Sequence, residues 1–390
     1  MNQTYNSNIV LTKPAKPVGG TSLEGNADWS VRETAWDIHG RTRLNQQFYY
    51  PASNINMFNA FLDGASTYRT ERSRWSLMGS YVNAYSLSSQ VPTADVTGLV
   101  LRKLHRDVGT ASPSWTYSID ELTSATLNYM YSHAQYDYYG GGSSLQESNT
   151  VGMELRRQFT EKFYIGPEIS YSHYNTTREN PDYFTFTDYV SASLSVRYSY
   201  DETLTVDGSA GVQISSSENE FPSQTLVGYA LVSLDPVQYV PIVQPVTVKQ
   251  STGPASTPLF NVTARKQFEL GAASFTYAHQ VSPSFNGVLL ETDRLGATGT
   301  RRLTELLDGS LGFSYYAQSY SGGSSAIVFS DYSSYAVDGS LIWRFAERWS
   351  ATATYRYFYR DYSATNTVDS GHDSQSVSVG ISYNFDPVNF

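Results

Sequence analysis

The chain has 390 residues, among them 32 tyrosines and no cysteine, and only 16% of them are charged. An aromatic content of 14% excludes intrinsic disorder, which combines few aromatics with high charge, and a chain without cysteine cannot be a disulfide scaffold. No apolar run reaches the roughly 20 residues that a membrane-spanning helix needs. The net charge of −10 argues against nucleic-acid binding, which needs a basic face. The first residues have neither a basic nor an apolar segment, so we expect no signal peptide in this chain.

Apolar and polar residues alternate with a period of two in several long segments. In chain order, the clearest segments cover residues 190–200, 204–214, 351–360 and 377–385. This alternation is typical of β-strands whose two faces meet different surroundings. The segments run to about ten residues, beyond the roughly 5–6 of an average soluble strand and close to the about 9–11 that cross a bilayer. The sequence therefore predicts an all-β chain of membrane-crossing strands.

Aromatic side chains cluster toward the ends of these segments. Examples are Tyr198 and Tyr200, Trp343 and Phe345, and the pair Tyr383 and Phe385. Transmembrane β-barrels carry such aromatics in two girdles, one at each membrane surface. The positions of the aromatics therefore favour a barrel in a membrane over a soluble β-sandwich, which also alternates.

Short acidic turns recur between the predicted strands. Their glutamates are Glu33, Glu71, Glu121, Glu161, Glu202, Glu305 and Glu347. From Glu121 onward they lie 40, 41, 103 and 42 residues apart, so one hairpin with its connecting loop takes about 41 residues. The longest gap must hide one or two more turns. With a first strand near 5–13 and a last near 375–387, we expect about 18 strands, within a range of 16–20.

Longer connections rich in Gly, Ser and Asn separate the acidic turns. They lie at residues 140–144, 175–182, 321–325 and 364–372. Short periplasmic turns and longer external loops are typical of outer-membrane barrels. Five prolines lie between residues 235 and 258, where we expect a loop or a lumen insert because proline cannot donate to a β-ladder. A soluble sheet or a β-solenoid is the alternative, although solenoid repeats are usually shorter.

These features predict one domain over residues 1–390: a monomeric, transmembrane antiparallel β-barrel in the bacterial outer membrane, surrounded by its lipids. The segment Gly380–Phe385 resembles the C-terminal signal that barrel-assembly machinery recognises in such proteins. That machinery is therefore an expected partner. Five residues follow the segment, so either Phe385 or Phe390 serves as its terminal aromatic.

Three short motifs resemble the outer-membrane porins encoded beside exopolysaccharide export systems. They are Asn8-Ile9-Val10-Leu11-Thr12, Ser112-Pro113-Ser114-Trp115 and the repeated strand-Thr-Glu-strand turns. The resemblance extends over nearly the whole chain. It implies a barrel that works in polysaccharide secretion, with polysaccharide as the transported substrate. It also implies a partner, a periplasmic polysaccharide-export protein without an outer-membrane segment of its own.

The sequence contains no recognisable catalytic constellation. The six histidines are His39, His105, His133, His173, His279 and His372, and none forms a His-x-x-x-His pair. Without cysteine, no thiolate zinc site is possible. The glycines 140–142 lack the following Lys and Ser or Thr of a phosphate loop. We therefore expect no enzyme, no metal site and no cofactor.

The polar face of each strand is expected to line the barrel lumen, because a charge facing lipid near the midplane costs about 2–4 kcal/mol. The candidate lumen residues are Arg41, Arg43, Arg156, Arg197, Arg265, Arg344, Arg356, Arg360, Glu154, Glu168, Asp207 and Asp338, with Asp28 and Asp63 on the same face. Two interpretations remain open. These side chains either brace the wall as cross-strand ion pairs, or guide a polysaccharide through arginine donors and tyrosine stacking faces.

The function expected from these features is a passive outer-membrane channel for secretion of exopolysaccharide. A barrel of 18 strands is wide enough for an aqueous channel. The first alternative is a general or small-solute diffusion porin. The second is a structural or adhesive outer-membrane barrel whose lumen is closed.

Overall fold

The computed structural model describes residues 1–9, 11, 15–87, 103–138, 143–179, 183–234, 237–283, 289–320, 331–362 and 371–385. Within these ranges, 18 strands form a single antiparallel sheet. Each strand pairs with its neighbours in the chain, and the first strand also pairs with the last, which closes the sheet into a barrel. The predicted all-β barrel of about 18 strands is confirmed.

The strands are numbered in chain order. They are β1 Asn2–Asn6, β2 Val18–Arg32, β3 Trp36–Tyr50, β4 Met57–Arg69, β5 Ser73–Leu87, β6 Lys103–Ser118, β7 Thr123–Tyr138, β8 Ser143–Thr160, β9 Phe163–Arg178, β10 Tyr183–Ser199, β11 Leu204–Leu234, β12 Val237–Phe268, β13 Gly271–Pro283, β14 Leu289–Arg302, β15 Leu307–Tyr320, β16 Tyr332–Ala346, β17 Trp349–Tyr362 and β18 Gly371–Tyr383. A short 3-10 turn, Ser53–Ile55, precedes β4. The described part of the chain holds no helix long and apolar enough to cross a membrane.

Tight turns join the strands at one rim of the barrel. All seven turn glutamates lie in such turns, and an eighth turn, Glu269-Leu270, joins β12 to β13 inside the 103-residue gap. The two ends of the described chain meet at the same rim, where the amino group of Met1 donates to the carbonyl of Ile381 over 2.9 Å. Because outer-membrane barrels keep their short turns in the periplasm, we refer to this rim as the periplasmic rim.

Serine and threonine side chains join neighbouring strands on the inner face. Their hydroxyl oxygens lie 2.5–2.8 Å apart in the pairs Ser76–Ser114, Ser80–Thr110, Thr150–Ser172, Ser170–Ser191, Ser274–Thr298, Ser310–Ser340 and Thr354–Ser378. Cross-strand pairs of this kind stabilise a sheet by about 0.2–1 kcal/mol each. The polar half of the alternation therefore holds the register of the barrel as well as lining its lumen.

Strands β11 and β12 extend beyond their neighbours as a two-stranded ribbon. Among the described residues, β10 pairs with β11 only as far as Glu220, and β13 pairs with β12 only from Phe260. Beyond Glu220 on β11 and before Phe260 on β12, the two strands remain paired with each other as far as Leu234 and Val237. This corrects the expected loop or lumen insert at 235–258, of which residues 235–236 lie outside the described part. Proline is tolerated here because an edge strand has no second neighbour to bond.

The terminal strands also differ from expectation. β1 ends at Asn6, before most of the predicted 5–13 segment, and β18 begins and ends about four residues earlier than predicted. The external loop residues 140–142, 180–182, 321–325 and 364–370 and the terminal Phe390 lie outside the described residues. Residues 143–144, 175–178 and 371–372, expected in those loops, belong to strands instead.

Candidate functional site

The register of the sheet separates an outer face from a lumen face. On β10, the large apolar residues Val190, Leu194 and Tyr198 are exposed on one face, while Ser195 and Arg197 lie on the other. The face with exposed apolar side chains meets lipid, since water would disfavour so continuous an apolar surface. The charged and hydroxyl-bearing face therefore surrounds the lumen.

Six of the candidate lumen residues line one cavity on the wall formed by β8 to β12. They are Glu154, Arg156, Glu168, Arg197, Asp207 and Arg265, and the uncharged polar lining consists of Tyr164, Ser195, Ser209, Asn261 and Thr263. The cavity has a volume of about 590 Å³. The antiparallel register explains why residues more than a hundred positions apart meet here, since Arg197 lies opposite Asp207 and Asp207 opposite Thr263.

The charges in this cavity are only partly paired. Arg156 donates through Nη2 to Oε1 of Glu154 over 2.8 Å, and Arg197 donates to Asp207. Glu168 lies opposite Glu154 on the neighbouring strand. No hydrogen bond or ion pair joins Arg265 to any residue that the structure describes. The cavity therefore offers two neutral ion pairs and, outside those pairs, the guanidinium of Arg265 and the carboxylate of Glu168.

The other predicted lumen residues lie elsewhere on the inner wall. Arg41 donates to Asp28 over 2.5 Å and lies opposite Asp63, while the Arg43 guanidinium lies 4.0 Å from the centre of the Phe61 ring. The structure does not bring these residues into the β8–β12 cavity.

Two further ion pairs cross between neighbouring strands. Arg356 lies 3.4 Å from Asp338, and Arg344 donates to Asp308 rather than to Asp338. Arg360 is fully buried against the rings of Tyr332 and Phe358. The cross-strand pairs agree with the bracing interpretation, and a role in binding stays a prediction for all twelve residues.

The lumen differs between its two ends. On β16, Tyr332, Ser334 and Ala336 near the loop side are buried, whereas Arg344 near the periplasmic rim is about half exposed. The N-terminal segment after β1 helps to fill the loop side of the lumen, which the sequence did not predict. Its Leu11 packs against Ala336 and Phe358. Its Ile9 packs into a second apolar cluster with Val18, Tyr49, Ile55, Met57 and Leu87. The described lumen is thus open toward the periplasm and filled toward the outside.

Sequence reasoning also missed a repeated motif on the outer face. It reads Tyr131-Ser132-His133, Tyr171-Ser172-His173 and Tyr277-Ala278-His279. The first two copies are 40 residues apart, which matches the hairpin spacing of the acidic turns. That shared period is the signal that could have revealed it.

Among the described residues, no group of three or more His, Asp or Glu side chains could hold a metal ion.

The closed 18-stranded barrel, with short turns at one rim and an apolar outer face, defines a bacterial outer-membrane β-barrel. No protein-family model and no curated protein matches the chain. Among solved structures, the ferric-catecholate import receptor Fiu from E. coli K12, in its open form, is similar, with a TM-score of 0.53. The two chains are 11% identical over 99% of this chain and 74% of Fiu. This likeness supports an outer-membrane barrel.

Two other solved structures have lower TM-scores. The ferric yersiniabactin uptake receptor FyuA from Yersinia pestis has a TM-score of 0.48 and 12% identity, over 97% of this chain and 65% of FyuA. The unliganded ferric citrate transporter FecA has a TM-score of 0.49 and 9% identity, over 98% of this chain and 63% of FecA. The chain thus spans less than two thirds of the length of either protein. None of these three solved structures is an exopolysaccharide-export porin.

Proposed function

We propose that this outer-membrane barrel is a channel for the secretion of a hydrophilic polysaccharide. The observation that carries the proposal is the open periplasmic half of the lumen, whose wall presents arginines beside carboxylates in the β8–β12 cavity. Guanidinium groups donate to sugar hydroxyls and carboxylates, and carboxylates accept from hydroxyls. Exopolysaccharide as the polymer rests on the resemblance of three short motifs.

The pairing of the charges supports conduction rather than tight binding. A channel must bind its cargo well enough to admit it and weakly enough to release it. Neutral pairs such as Arg197–Asp207 offer hydrogen bonds without a strong net field. Outside these pairs, Arg265 adds donors for carboxylates and hydroxyls, and Glu168 adds an acceptor for hydroxyls. A polymer therefore meets several weak sites along the wall.

Transport in this proposal is passive, with synthesis in the cell pushing the polymer outward. A periplasmic polysaccharide-export protein would deliver the polymer to the periplasmic rim. Fiu imports ferric catecholates, as its name states, but at 11% identity only the fold is shared. The second candidate function is a structural barrel with a closed lumen, favoured by the apolar clusters that fill the loop side.

Liposome swelling with sugars of graded size separates a secretion channel from a diffusion porin, and deletion of the gene separates it from a structural barrel. A secretion channel that its own segments close at rest should admit little until a partner or a mutation opens it. Rapid uptake of small sugars with a cutoff near oligosaccharides would instead identify a diffusion porin. In the native bacterium, deletion of the gene should abolish surface polysaccharide, and unchanged polysaccharide would overturn the secretion proposal.

Replacement of Arg265 tests whether the β8–β12 cavity lies on the conduction path. Because Arg265→Gln removes one unpaired positive charge, the reversal potential in a KCl gradient should shift toward cation selectivity. The matched control is the double variant R197Q/D207N, which removes one charge of each sign and should leave the reversal potential near that of the wild type. An unchanged reversal potential in R265Q channels would place the cavity outside the conduction path.

A further inference from the structure

A Tyr-x-His motif repeats on the outer face of three hairpins. It lies on β7 at Tyr131 and His133, on β9 at Tyr171 and His173, and on β13 at Tyr277 and His279. The strand that follows each of these carries a carboxylate on the same face: Glu147 on β8, Asp188 on β10 and Asp293 on β14. We name each set of tyrosine, histidine and carboxylate a girdle triad.

In all three girdle triads the tyrosine hydroxyl and the histidine Nδ1 approach the same carboxylate oxygen, and two of the three histidines are within hydrogen-bonding distance. In β9–β10, the Tyr171 hydroxyl lies 2.6 Å and His173 Nδ1 2.8 Å from Oδ1 of Asp188. In β13–β14, the corresponding distances to Asp293 are 2.8 and 3.0 Å. In β7–β8, both distances to Glu147 are 3.5 Å. The repetition on three hairpins indicates a common role.

The depth of the girdle triads places them at the outer edge of the membrane. On β9, ten residues separate Phe163 at the periplasmic rim from His173. At about 3.3 Å per residue and a tilt near 45°, this distance is about 23 Å along the membrane normal. The apolar band of an outer-membrane barrel is about 25 Å tall. The imidazoles and carboxylates therefore lie at the level of the outer-leaflet headgroups.

The bonding pattern determines what kind of ligand the girdle triads accept. A carboxylate oxygen only accepts, so a histidine that donates to it from Nδ1 in the neutral tautomer leaves Nε2 as an acceptor. Among the described residues, no hydrogen bond occupies Nε2 or the second carboxylate oxygen of any girdle triad. The carboxylates of Glu147, Asp188 and Asp293 are each more than 40% exposed. Each site thus presents acceptors and a negative charge next to a tyrosine ring.

This chemistry selects hydroxyl-rich sugars over phosphates. Sugar hydroxyls donate to Nε2 and to the carboxylate, and the apolar face of a pyranose packs on an aromatic ring. A phosphate offers acceptors only and is repelled by the carboxylate. We propose that the girdle triads bind the sugar headgroups of glycolipid in the outer leaflet. The proposal rests on the outer-membrane location and not on the substrate of the lumen.

Lipid binding by the purified barrel tests the proposal. In native mass spectrometry from nanodiscs, the wild type should retain the phosphate-free glycolipid digalactosyldiacylglycerol in preference to phosphatidylglycerol. The triple variant H133F/H173F/H279F keeps the rings but removes the acceptors, and should bind digalactosyldiacylglycerol about tenfold more weakly. The matched control is His39→Phe, which alters a histidine near Asp37 on the lumen face and should bind as the wild type does.

A single-site variant and competition with free oligosaccharide show whether lost binding reflects the girdle triads or damage to the barrel. The single variant Asp188→Asn preserves the shape of one girdle triad and should remove one bound digalactosyldiacylglycerol while the barrel stays resistant to unfolding in SDS. Free oligosaccharide should compete poorly, since the acyl chains anchor the headgroup at this depth. Equal retention of digalactosyldiacylglycerol and phosphatidylglycerol, or undiminished binding by the triple variant, would overturn the proposal.

Discussion

Arginine occupies three different environments on the inner wall. Arg197 is paired with a carboxylate on the next strand, Arg265 is unpaired among the described residues, and Arg360 is fully buried between aromatic rings. Desolvation of the Arg197 pair costs little free energy, because both partners remain partly in water. Burial of Arg360 costs more, since a buried guanidinium needs partners to offset its lost hydration. Arginine side chains on this wall are therefore found paired, unpaired and buried.

Truncation of Arg360 should destabilise the barrel more than truncation of its neighbours. Its guanidinium lies 5.1 Å from the centre of the Tyr332 ring and 5.3 Å from that of Phe358. Arg360→Ala removes these cation–π contacts and leaves a cavity, so we expect the free energy of unfolding to fall by about 2–4 kcal/mol. Urea unfolding in lipid vesicles measures the change.

The control for this experiment is Arg356→Ala on the same strand. Arg356 is partly exposed and pairs with Asp338 across the strand boundary. Pairs of this kind contribute about 0–1 kcal/mol, so the control should unfold close to the wild type. Equal destabilisation by the two substitutions would show that burial of Arg360 adds nothing to stability.

At the level of elements, the periplasmic turns are held by their acidic side chains. Asp201 Oδ1 accepts from the Thr203 hydroxyl over 2.7 Å, from the Thr203 backbone N–H over 2.8 Å and from the Leu204 N–H over 2.7 Å. The Lys266 ammonium lies 3.3 Å from the other carboxylate oxygen. These bonds favour the charged form, beginning with the Thr203 hydroxyl, and hold the pKa of Asp201 well below its usual range.

The lowered pKa of Asp201 predicts a loss of stability in acid. Its contribution is fully present above the pKa of an unfolded aspartate, about 3.9, and is lost as the pH falls through the lower folded value. Asp201→Asn should therefore lower the thermal midpoint at pH 7, and the difference from the wild type should shrink below about pH 4. Differential scanning calorimetry between pH 2 and pH 7 checks this.

Glu202 provides the matched control within the same turn. Its carboxylate makes no hydrogen bond to the residues that the structure describes. Glu202→Gln should leave the thermal midpoint close to that of the wild type at both ends of the pH range. A difference between the wild type and the Asp201→Asn variant that stays constant down to pH 2 would contradict the assigned role of Asp201.

At the level of the whole molecule, the N-terminal segment closes part of the lumen. Ile9 and Leu11 belong to separate apolar clusters, one beside β3 to β5 and the other on β16 and β17. In the proposed secretion channel a polymer would have to pass this region, so the segment would have to move aside during export. The fold therefore contains its own barrier at the loop side.

Weakening the anchors of this segment should open the barrel. The double variant I9A/L11A removes apolar contacts worth about 2 kcal/mol or more at each site. We expect a higher conductance in planar bilayers and faster sugar uptake by liposomes. Tyr5→Ala is the control, because Tyr5 lies on the exposed outer face of β1. Unchanged conductance in the double variant would show that other parts of the chain close the lumen.

The sequence by itself determined the local features of this protein. Alternation identified the strands and their lipid faces, and the spacing of the acidic turns led to the correct strand number, even though Glu269-Leu270 was hidden in the longest gap. Both signals are short-range, because side chains alternate along a strand and a hairpin has a fixed length. The inward orientation of Arg156, Arg197 and Asp207 follows from the same alternation.

The tertiary structure alone decided which of these residues meet. The barrel register brings Arg265 near Arg197, and long-range packing buries Arg360 and draws Leu11 into the lumen. No local pattern encodes such contacts, since they depend on strands that are distant in the chain. The same holds for the ribbon of β11 and β12, where proline is accepted because the adjoining strands end. Alternation along the chain determines which face of the sheet each side chain lies on. Only the closed barrel determines which other side chains it contacts.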